Sequence, residues 1–226
     1  MSLAGKACIV TGGAGALGLA VCKALSGAGA NVMAIDHGVV PAEQPGIGGV
    51  DLSDASKAKA AIDKAVSEMG GLYALLNIAG GFRFEKLADG KIDTWDYLYT
   101  VNLKTAVCAS QAALPHLLKN RNGRIVNIGA GAAAAKAGAG MGAYAASKAG
   151  VAKLTESLAD ELKNEGVTVN AILPTTIDTA ANRRDMPKAD FSKWVQPDEI
   201  AALIEYLLSD KASAITGASI PISGRV

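Results

Sequence analysis

The chain has 226 residues, and its 22 lysines and arginines nearly balance its 21 aspartates and glutamates, for a formal net charge of +1. Half of the residues are apolar, 4% are aromatic and 26 are glycine, a composition typical of a globular α/β protein. Because the sequence has neither a long basic run nor an apolar segment long enough for a bilayer, we expect no nucleic-acid partner and no membrane partner.

The three cysteines, Cys8, Cys22 and Cys108, are odd in number and lie far apart among apolar residues. We interpret them as buried thiols in a reducing compartment, and not as a disulfide framework or a metal site. The opening sequence MSLAGKACIV lacks the basic region, apolar core and cleavage site of a secretion signal. A cytoplasmic protein without a bound metal is therefore expected.

Strands and helices are predicted to alternate along the chain. The predicted strands cover residues 7–10, 31–35, 47–50, 72–78, 124–128, 167–173 and 219–222. The predicted helices cover residues 19–25, 53–69 with Ser53 as its cap, 92–118, 143–164 and 197–208, with an irregular segment up to residue 194. This order predicts an α/β fold, a doubly wound parallel sheet with helices on both faces. Ligands bind such sheets at the carboxyl ends of the strands.

A glycine-rich loop, VTGGAGALG, follows the first predicted strand. Glycine lets the backbone approach a phosphate closely, and the helix after the loop directs free N–H groups and its positive dipole end at the anion. The second predicted strand ends at Asp36, eighteen residues after Gly18, a separation typical of a carboxylate that binds a ribose 2′-hydroxyl. Because a carboxylate repels a 2′-phosphate, Asp36 favours NAD(H) over NADP(H). The alternative is a tight turn with a surface aspartate.

Other strand ends supply further candidates. Asp51 follows the third predicted strand and either accepts a hydrogen bond from an adenine amino group or starts the next helix within DLSD; both interpretations stay open. Ala79 and Gly80 follow the fourth predicted strand, where small residues would admit a cofactor. Asn102 lies inside a predicted helix, where an asparagine is poorly tolerated unless it has a hydrogen-bonding task.

Tyr144 and Lys148 lie four residues apart and share one face of a predicted helix. A free tyrosine ionises near pH 10, so proton exchange near neutrality requires a shift of about three pKa units, roughly 4 kcal/mol. A neighbouring ammonium can supply much of that shift. The alternative is an exposed pair on an alanine-rich helix.

These motifs, together with WDYLYTVNLK, GRIVNIG, YAASK and the terminal ITGASIPISG, resemble the short-chain dehydrogenase/reductase family over essentially the whole chain. The resemblance implies one Rossmann-type domain over residues 1–226 and a nicotinamide cofactor. It also implies that Tyr144 transfers a proton, that Lys148 binds the nicotinamide ribose and acidifies Tyr144, and that Asn102 holds a relay water. The implied cofactor contacts are Gly12, Gly15, Ala16, Leu17, Gly18, Asp36, Asp51, Leu52, Ala79, Gly80, Tyr144, Lys148, Pro174, Ile177 and Thr179.

The family usually places a serine about thirteen residues before the tyrosine, and this chain has none there. Gly131 occupies that position by count and Ala130 by the IVNIG motif, and neither side chain donates a hydrogen bond. Either the chain only binds nucleotide, or its substrate needs no serine. The second explanation is favoured by LPTTIDTAANRRDMPKADFSKW, which is similar to the dihydropteridine reductase branch. That branch reduces a quinonoid dihydropterin with NADH, and its planar conjugated ring accepts hydride readily.

A substrate lid is expected at about residues 179–197, where Arg183 and Trp194 would clamp a flat ring. The alternative is a charged loop pinned to the body by Trp194 and its apolar neighbours. Phe82 is either a pocket wall or part of a surface turn. The predicted activity is therefore NADH-dependent reduction of a quinonoid dihydropterin-like compound or another activated carbonyl or imine. A non-catalytic NAD(H) sensor and a ketoacyl reductase are the alternatives. By resemblance, the long helices pair between subunits of a homodimer or homotetramer.

Overall fold

Seven parallel strands form one sheet in the computed structural model, which describes residues 3–134 and 136–225. Their order across the sheet is β3-β2-β1-β4-β5-β6-β7. The strands are β1 Ala7–Thr11, β2 Asn31–Ile35, β3 Gly46–Ile47, β4 Ala74–Asn77, β5 Arg124–Ile128, β6 Thr168–Pro174 and β7 Ser219–Ile222. The strand order reverses between β1 and β4, and a crevice at such a reversal is where doubly wound sheets bind ligands. The predicted fold class is confirmed.

Helices connect these strands and cover both faces of the sheet. They are α1 Ala16–Gly27, α2 Ala55–Met69, α3 Ile92–Leu98, α4 Thr105–Leu117, α5 Gly131–Ala134, α6 Gly142–Leu162, α7 Ala180–Asp185 and α8 Pro197–Leu208. One face packs on α1 and α8, and the other on α2, α4 and α6. Successive strand residues point to opposite faces, so Val10 contributes to the first core and Ile9 to the second. Both faces are apolar for this reason.

Several boundaries differ from the sequence prediction. α1 begins at Ala16 instead of Leu19, and Gly15 is its N-cap residue. Ser53 does not cap α2; the Asp54 carboxylate does, accepting from the N–H groups of Ser56 and Lys57. The third strand is shorter than predicted and covers Gly46–Ile47.

The long helix predicted over residues 92–118 is interrupted. A π-helical segment, Tyr99–Lys104, lies between α3 and α4. π-bulges occur often at functional sites, and this one contains the buried Asn102. The segment predicted to be irregular contains α7 and a 3-10 turn at Phe191–Lys193.

All three cysteines are free and buried. Burial raises the pKa of the Cys8 and Cys22 thiols to about 12, so both stay protonated and unreactive near neutrality. Among the described residues, no helix has the length and apolar character needed to cross a membrane.

Candidate active site

The loop between β1 and α1 forms a close-fitting cradle. Gly12 has a φ of 67°, and a Cβ there would lie 2.7 Å from the backbone nitrogen of Ala79. A Cβ at Gly18 would lie 2.1 Å from the Gly12 carbonyl oxygen. α1 has no side-chain cap and no acidic residue in its first turn, so its first N–H groups and dipole are available to an anion. The cradle fits the pyrophosphate of a dinucleotide.

Asp36 lies beside this cradle, one residue past β2. Its carboxylate accepts the N–H of Ala14 at 3.0 Å and the N–H of Gly38 at 2.8 Å. The first bond joins the end of β2 to the glycine-rich loop, which sequence spacing alone did not reveal. The second is a local turn that fixes the carboxylate at the carboxyl edge of the sheet. A negative charge is thus held next to the loop.

Asp51 and Leu52 lie after β3, farther along the same edge. Asp51 does not cap α2; its Oδ1 accepts the Ser53 hydroxyl at 2.7 Å and the Ser53 N–H at 2.9 Å. The Ser53 hydroxyl, followed by its N–H, lowers the pKa of Asp51. Leu52 is buried in the core beneath. α2 does begin directly after DLSD, but its cap is Asp54 and not Asp51. The contact of Asp51 with adenine stays a prediction.

Tyr144 and Lys148 lie on α6 at the carboxyl edge of β4 and β5. The Lys148 ammonium is buried and donates to the Ile128 carbonyl at 2.7 Å, at the end of β5. A Cβ at Gly80 would lie 3.2 Å from the same ammonium and 2.7 Å from Asn102 Oδ1. The structure therefore brings Gly80, Asn102 and Lys148 together at the tip of β4.

Burial controls the ionisation of this pair. It raises the pKa of Tyr144 to about 12 and lowers the pKa of Lys148 to about 8. The acidification of Tyr144 expected from the sequence does not outweigh burial in the protein alone. Because low dielectric favours neutral forms, the phenol is protonated at neutral pH, the form that donates a proton in a reduction. Phe82 packs edge-on against the Tyr144 ring, with 5.0 Å between centroids.

Asn102 has the hydrogen-bonding task that its position required. Its Oδ1 accepts the Gly81 N–H at 2.9 Å, and its Nδ2 donates to the Gly81 carbonyl at 3.1 Å. Nδ2 also donates to Ser147 Oγ at 3.0 Å, and this hydroxyl donates to the Tyr144 carbonyl at 2.8 Å. Sequence reasoning missed Ser147, although its position between Tyr144 and Lys148 in YAASK was a signal. Asn102 thus joins the loop after β4 to the tyrosine helix.

The positions of the missing serine lie between β5 and α5. Ala130 is buried and Gly131 begins α5. A Cβ at Gly131 would lie 3.3 Å from Thr175 Cγ2. The hydroxyl of Thr175 donates to the Ser223 carbonyl at 2.8 Å. This nearby hydroxyl is already used and does not replace the serine in this arrangement.

The segment after β6 is held by its own contacts. Arg183 forms a bidentate pair with Asp178, at 2.6 and 2.7 Å, and lies over the Phe191 ring at 4.8 Å. Trp194 is buried and packs against Phe191 with 4.7 Å between centroids. These contacts favour the pinned-loop alternative, and both clamp roles stay predictions. Pro174 ends β6, and Ile177 pairs with Val195.

The hydroxyl of Thr179 caps α7 by accepting the Asn182 N–H at 3.2 Å. This bond accounts for the turn that follows Asp178. The contact between Thr179 and a cofactor, which the resemblance implies, stays a prediction.

The sequence profile of the short chain dehydrogenase family matches residues 6–190. This chain belongs to that family. It is 33% identical over 245 residues to the 3-oxoacyl-acyl-carrier-protein reductase FabG of Thermotoga maritima, covering 99% of this chain and 98% of that protein. It is 34% identical to the D-threitol dehydrogenase of Mycolicibacterium smegmatis, covering 98% of this chain and 93% of that protein.

A solved structure supports the same assignment. A short chain dehydrogenase from Burkholderia cenocepacia, in complex with NADP, has a TM-score of 0.86 and 31% identity, covering 99% of this chain and 98% of that one. The predicted short-chain dehydrogenase family and enzyme class are confirmed. The protein is an oxidoreductase that uses a nicotinamide cofactor and a small-molecule substrate. The cradle at Gly12 and Gly18 fits the dinucleotide, which supplies hydride to or removes it from the substrate.

Proposed function

We propose that this short-chain dehydrogenase is an NADH-dependent reductase of planar, activated carbonyl or imine compounds, of which a quinonoid dihydropterin is the type. The observation that carries the proposal is the combination at the Tyr144 site. A partly buried, protonated phenol stands one helical turn from a buried ammonium, while the usual serine position holds Ala130 or Gly131. Such a site supplies a proton but lacks one orienting donor.

The preference for NADH is supported by Asp36. Its carboxylate lies beside the glycine-rich loop and is oriented by the N–H groups of Ala14 and Gly38. A carboxylate there accepts from a ribose 2′-hydroxyl and repels a 2′-phosphate. The NADP bound by the Burkholderia protein is a property of that protein, and cofactor preference within one fold depends on this local charge.

The substrate class is supported by what surrounds Tyr144. A simple ketone needs a second donor to orient its oxygen, whereas a conjugated ring accepts hydride at lower cost and is held by stacking and shape. Phe82 presents a half-exposed ring, 54% accessible, against the tyrosine. The similarity of residues 173–194 to dihydropteridine reductase adds to this inference.

Each residue then has a defined task in the reduction. The Tyr144 hydroxyl donates its proton to the substrate heteroatom that gains electrons from hydride. The Lys148 ammonium stabilises the phenolate left behind and, by resemblance, binds the nicotinamide ribose. Asn102 fixes Gly81 and, through Ser147, the first turn around Tyr144. The lid role of residues 179–197 stays a prediction, because the contacts within this segment favour a pinned loop.

A ketoacyl reductase is the second candidate, because the Thermotoga relative with that activity covers nearly the whole chain. Asp36 and the absent serine weigh against it, since they disfavour NADPH and an unactivated ketone. A nucleotide sensor without turnover is the third candidate. It would bind NADH tightly and would not oxidise it with any substrate.

The deciding experiment is an assay of NADH oxidation with three substrates: a quinonoid dihydropterin, simple ketones and a β-ketoacyl thioester. We expect the dihydropterin to be reduced most efficiently and NADH to be preferred over NADPH. Preference for the thioester with NADPH would establish the second candidate. Binding of NADH without oxidation across the panel would establish the third.

Replacing the proton donor gives a sharper test. Tyr144→Phe is expected to lower kcat by about a thousandfold, because general-acid catalysis at one group contributes about that much. NADH affinity, measured by fluorescence titration, should change little. Tyr99→Phe, at an exposed tyrosine on the π-helical segment, is the matched control and should retain full turnover. Equal turnover of the two variants would remove Tyr144 from the mechanism.

A homodimer or homotetramer is part of the proposal. Ile92, Tyr99 and Val107 are large apolar side chains that are exposed on α3, the π-helical segment and α4. Exposed apolar groups that follow one another along a helical region are typical of subunit contacts. Sedimentation equilibrium of the purified chain tests this, and a monomer at micromolar concentration would contradict it.

A further inference from the structure

A cavity of about 270 Å³ lies next to the Tyr144 site and has no role in the proton transfer described above. Its walls come from the segment after β4 and from the segment that leads into α6. The Glu85 N–H donates to the Gly140 carbonyl at 2.9 Å and joins the two segments. The ring of Phe84 packs on Gly140, where a Cβ would lie 2.5 Å from it. The cavity is therefore a built part of the molecule.

Each wall contains a residue that is adjacent in the chain to a residue of the Tyr144 site. Ala143 lines the cavity and immediately precedes Tyr144. On the other wall, Arg83 lines the cavity and immediately follows Phe82, which contacts the Tyr144 ring. A substrate whose reacting group is at Tyr144 can extend a substituent into this space.

The cavity is electropositive. Arg83 and Lys86 line it together with one carboxylate, Glu85, which leaves a formal charge of +1. Glu85 Oε1 accepts the Lys91 N–H at 3.2 Å. Among the described residues, neither Arg83 nor Lys86 takes part in an ion pair. The Arg83 guanidinium lies 3.8 Å from the Tyr97 ring centroid. The ring covers one face of the guanidinium and leaves the guanidinium N–H groups available to an anion.

The start of α6 adds to this potential. Gly142 and Ala143, its first two residues, line the cavity. α6 has 21 residues, no side-chain cap and no acidic residue in its first turn, so its first N–H groups and its dipole favour a negative charge there. Trp95 lines the same cavity with its ring, 38% exposed, 3.6 Å from the position of a Cβ on Gly142.

From these contacts we infer that the cavity binds an anionic substituent on the substrate, a carboxylate, sulfonate or phosphate carried by a flat ring. The part of the substrate ring that carries the substituent packs on Trp95, and the anion binds Arg83, Lys86 and the N–H groups at the start of α6. The inference rests on the proposed function, because it places the reacting end of the same molecule at Tyr144. The volume of the cavity, about 270 Å³, lies just below the range of whole small-molecule sites and therefore suits one substituent.

A matched pair of substrates tests the inference. Isatin is a planar activated ketone, and isatin-5-sulfonate is the same ketone with an anion; in each, C3 takes one hydride from NADH, which becomes NAD⁺, and the C3 carbonyl oxygen takes one proton from Tyr144. We expect kcat/KM for the sulfonate to exceed that for isatin by about five- to tenfold at low salt, the size of a charge-assisted contact at a partly exposed site. In Arg83→Gln the two values should become similar through a higher KM for the sulfonate, with isatin unaffected. Arg83→Lys should retain part of the preference.

A charge-matched control and a binding measurement separate the two proposals. Lys153→Gln removes an exposed cation elsewhere on α6 and should keep the preference for the sulfonate. Calorimetric titration with each compound, with no reduced cofactor present, measures binding without turnover. Tighter binding of the sulfonate, lost in Arg83→Gln, would support the anion site even where neither compound is reduced. Equal binding of both compounds, or a preference that survives Arg83→Gln and Lys86→Gln, would overturn it.

Discussion

The half of the molecule that we propose binds the cofactor, β1 to β3 with α1 and α2, is organised by different contacts from the part that we propose binds the substrate, residues 81–91, 129–134, 136–144 and 174–196. We call them the cofactor half and the substrate half. In the cofactor half, backbone atoms meet backbone atoms: Gly12 and Gly18 leave no room for a Cβ, and Asp36 accepts main-chain N–H groups. In the substrate half, side chains contact one another: the Phe82 ring packs against Tyr144, which lies far along the chain, and Arg183 pairs with Asp178, five residues earlier.

This difference determines how each half tolerates change. A backbone cradle accepts few residue types, so it can be recognised in the sequence as a motif. A single added methyl group disrupts it. Side-chain walls vary without disturbing the sheet, which is how one fold serves substrates as different as a ketoacyl thioester and threitol in its relatives. The substrate half is therefore where this chain departs from the family pattern.

Of the variants that compare the two halves, Gly18→Ala in the cofactor half is expected to have the largest effect. Gly18→Ala would place a Cβ 2.1 Å from the Gly12 carbonyl oxygen, so the loop must move away from its phosphate-binding shape. We expect NADH affinity to fall by about a hundredfold and the free energy of unfolding to fall by about 1–3 kcal/mol. Titration with NADH and urea unfolding measure both.

Gly27→Ala is the matched control within the same helix. No heavy atom lies within 4 Å of the Cβ position there, so this variant should bind NADH normally and be slightly stabilised. Equal NADH affinity of the Gly18 and Gly27 variants would show that the cofactor half does not depend on close backbone packing.

The second prediction concerns Lys148, where the two halves meet. Burial lowers its pKa from 10.5 to about 8, so holding it charged at pH 7 costs the folded state about 3 kcal/mol. Lys148→Met removes this cost and leaves the Ile128 carbonyl unpaired, which costs about 1 kcal/mol. We expect the variant to be inactive and about 2 kcal/mol more stable than the wild type at pH 7.

The difference in stability between Lys148→Met and the wild type is expected to decrease as the pH rises. Above about pH 8 the folded chain releases the Lys148 proton, while the unfolded chain keeps it up to about pH 10.5. Wild-type stability from this group therefore rises with pH in that window, and the advantage of Lys148→Met shrinks. Lys153→Met, at an exposed ion-paired lysine on the same helix, should show no such trend. A constant difference between pH 7 and 10 would contradict the burial of a charged Lys148.

The two halves also differ in how well the sequence predicted them. The boundaries of β2, β5, β7 and α8 were predicted to the residue, because an apolar run or a proline with two acidic residues marks each of them locally. The cap of α2 was placed one residue early because Ser53 and Asp54 are both good caps, and only the carboxylate geometry decides between them.

The features of the site that the sequence did not reveal depend on tertiary contacts. The π-helical segment at Asn102 follows from its paired bonds to Gly81, twenty-one residues earlier in the chain, which periodicity does not reveal. The burial of Trp194 and the pairing of Arg183 with Asp178 depend on how the segment after β6 folds onto itself. Burial raises the pKa of Tyr144, opposite to the effect expected from the charge of Lys148, and the acidification by Lys148 stays a prediction.

The third prediction returns to the cofactor half and tests its charge. Asp36→Asn keeps the size of the side chain and removes its negative charge, so the NADH to NADPH affinity ratio should fall by about tenfold, mostly through tighter NADPH binding. Asp51→Asn, at the carboxylate after β3, is the control and should leave the ratio unchanged. A ratio that does not respond to Asp36→Asn would assign cofactor preference to other groups.

The smallest expected effect tests the substrate half. Ala130→Ser introduces a hydroxyl at the position that the IVNIG motif assigns to the missing donor, in a buried site. Where this hydroxyl reaches the substrate oxygen, kcat/KM for simple ketones should rise by about threefold, since one neutral hydrogen bond contributes about 0.5–1.5 kcal/mol. Reduction of planar activated substrates should change little, because they do not depend on that donor. Gly131→Ser is the comparison, and its Cβ would lie 3.3 Å from Thr175 Cγ2. A gain in this variant instead would show that position 131, thirteen residues before Tyr144, is the position of the missing serine. A gain in neither variant would mean that the substrate half orients its ligand by shape and stacking alone.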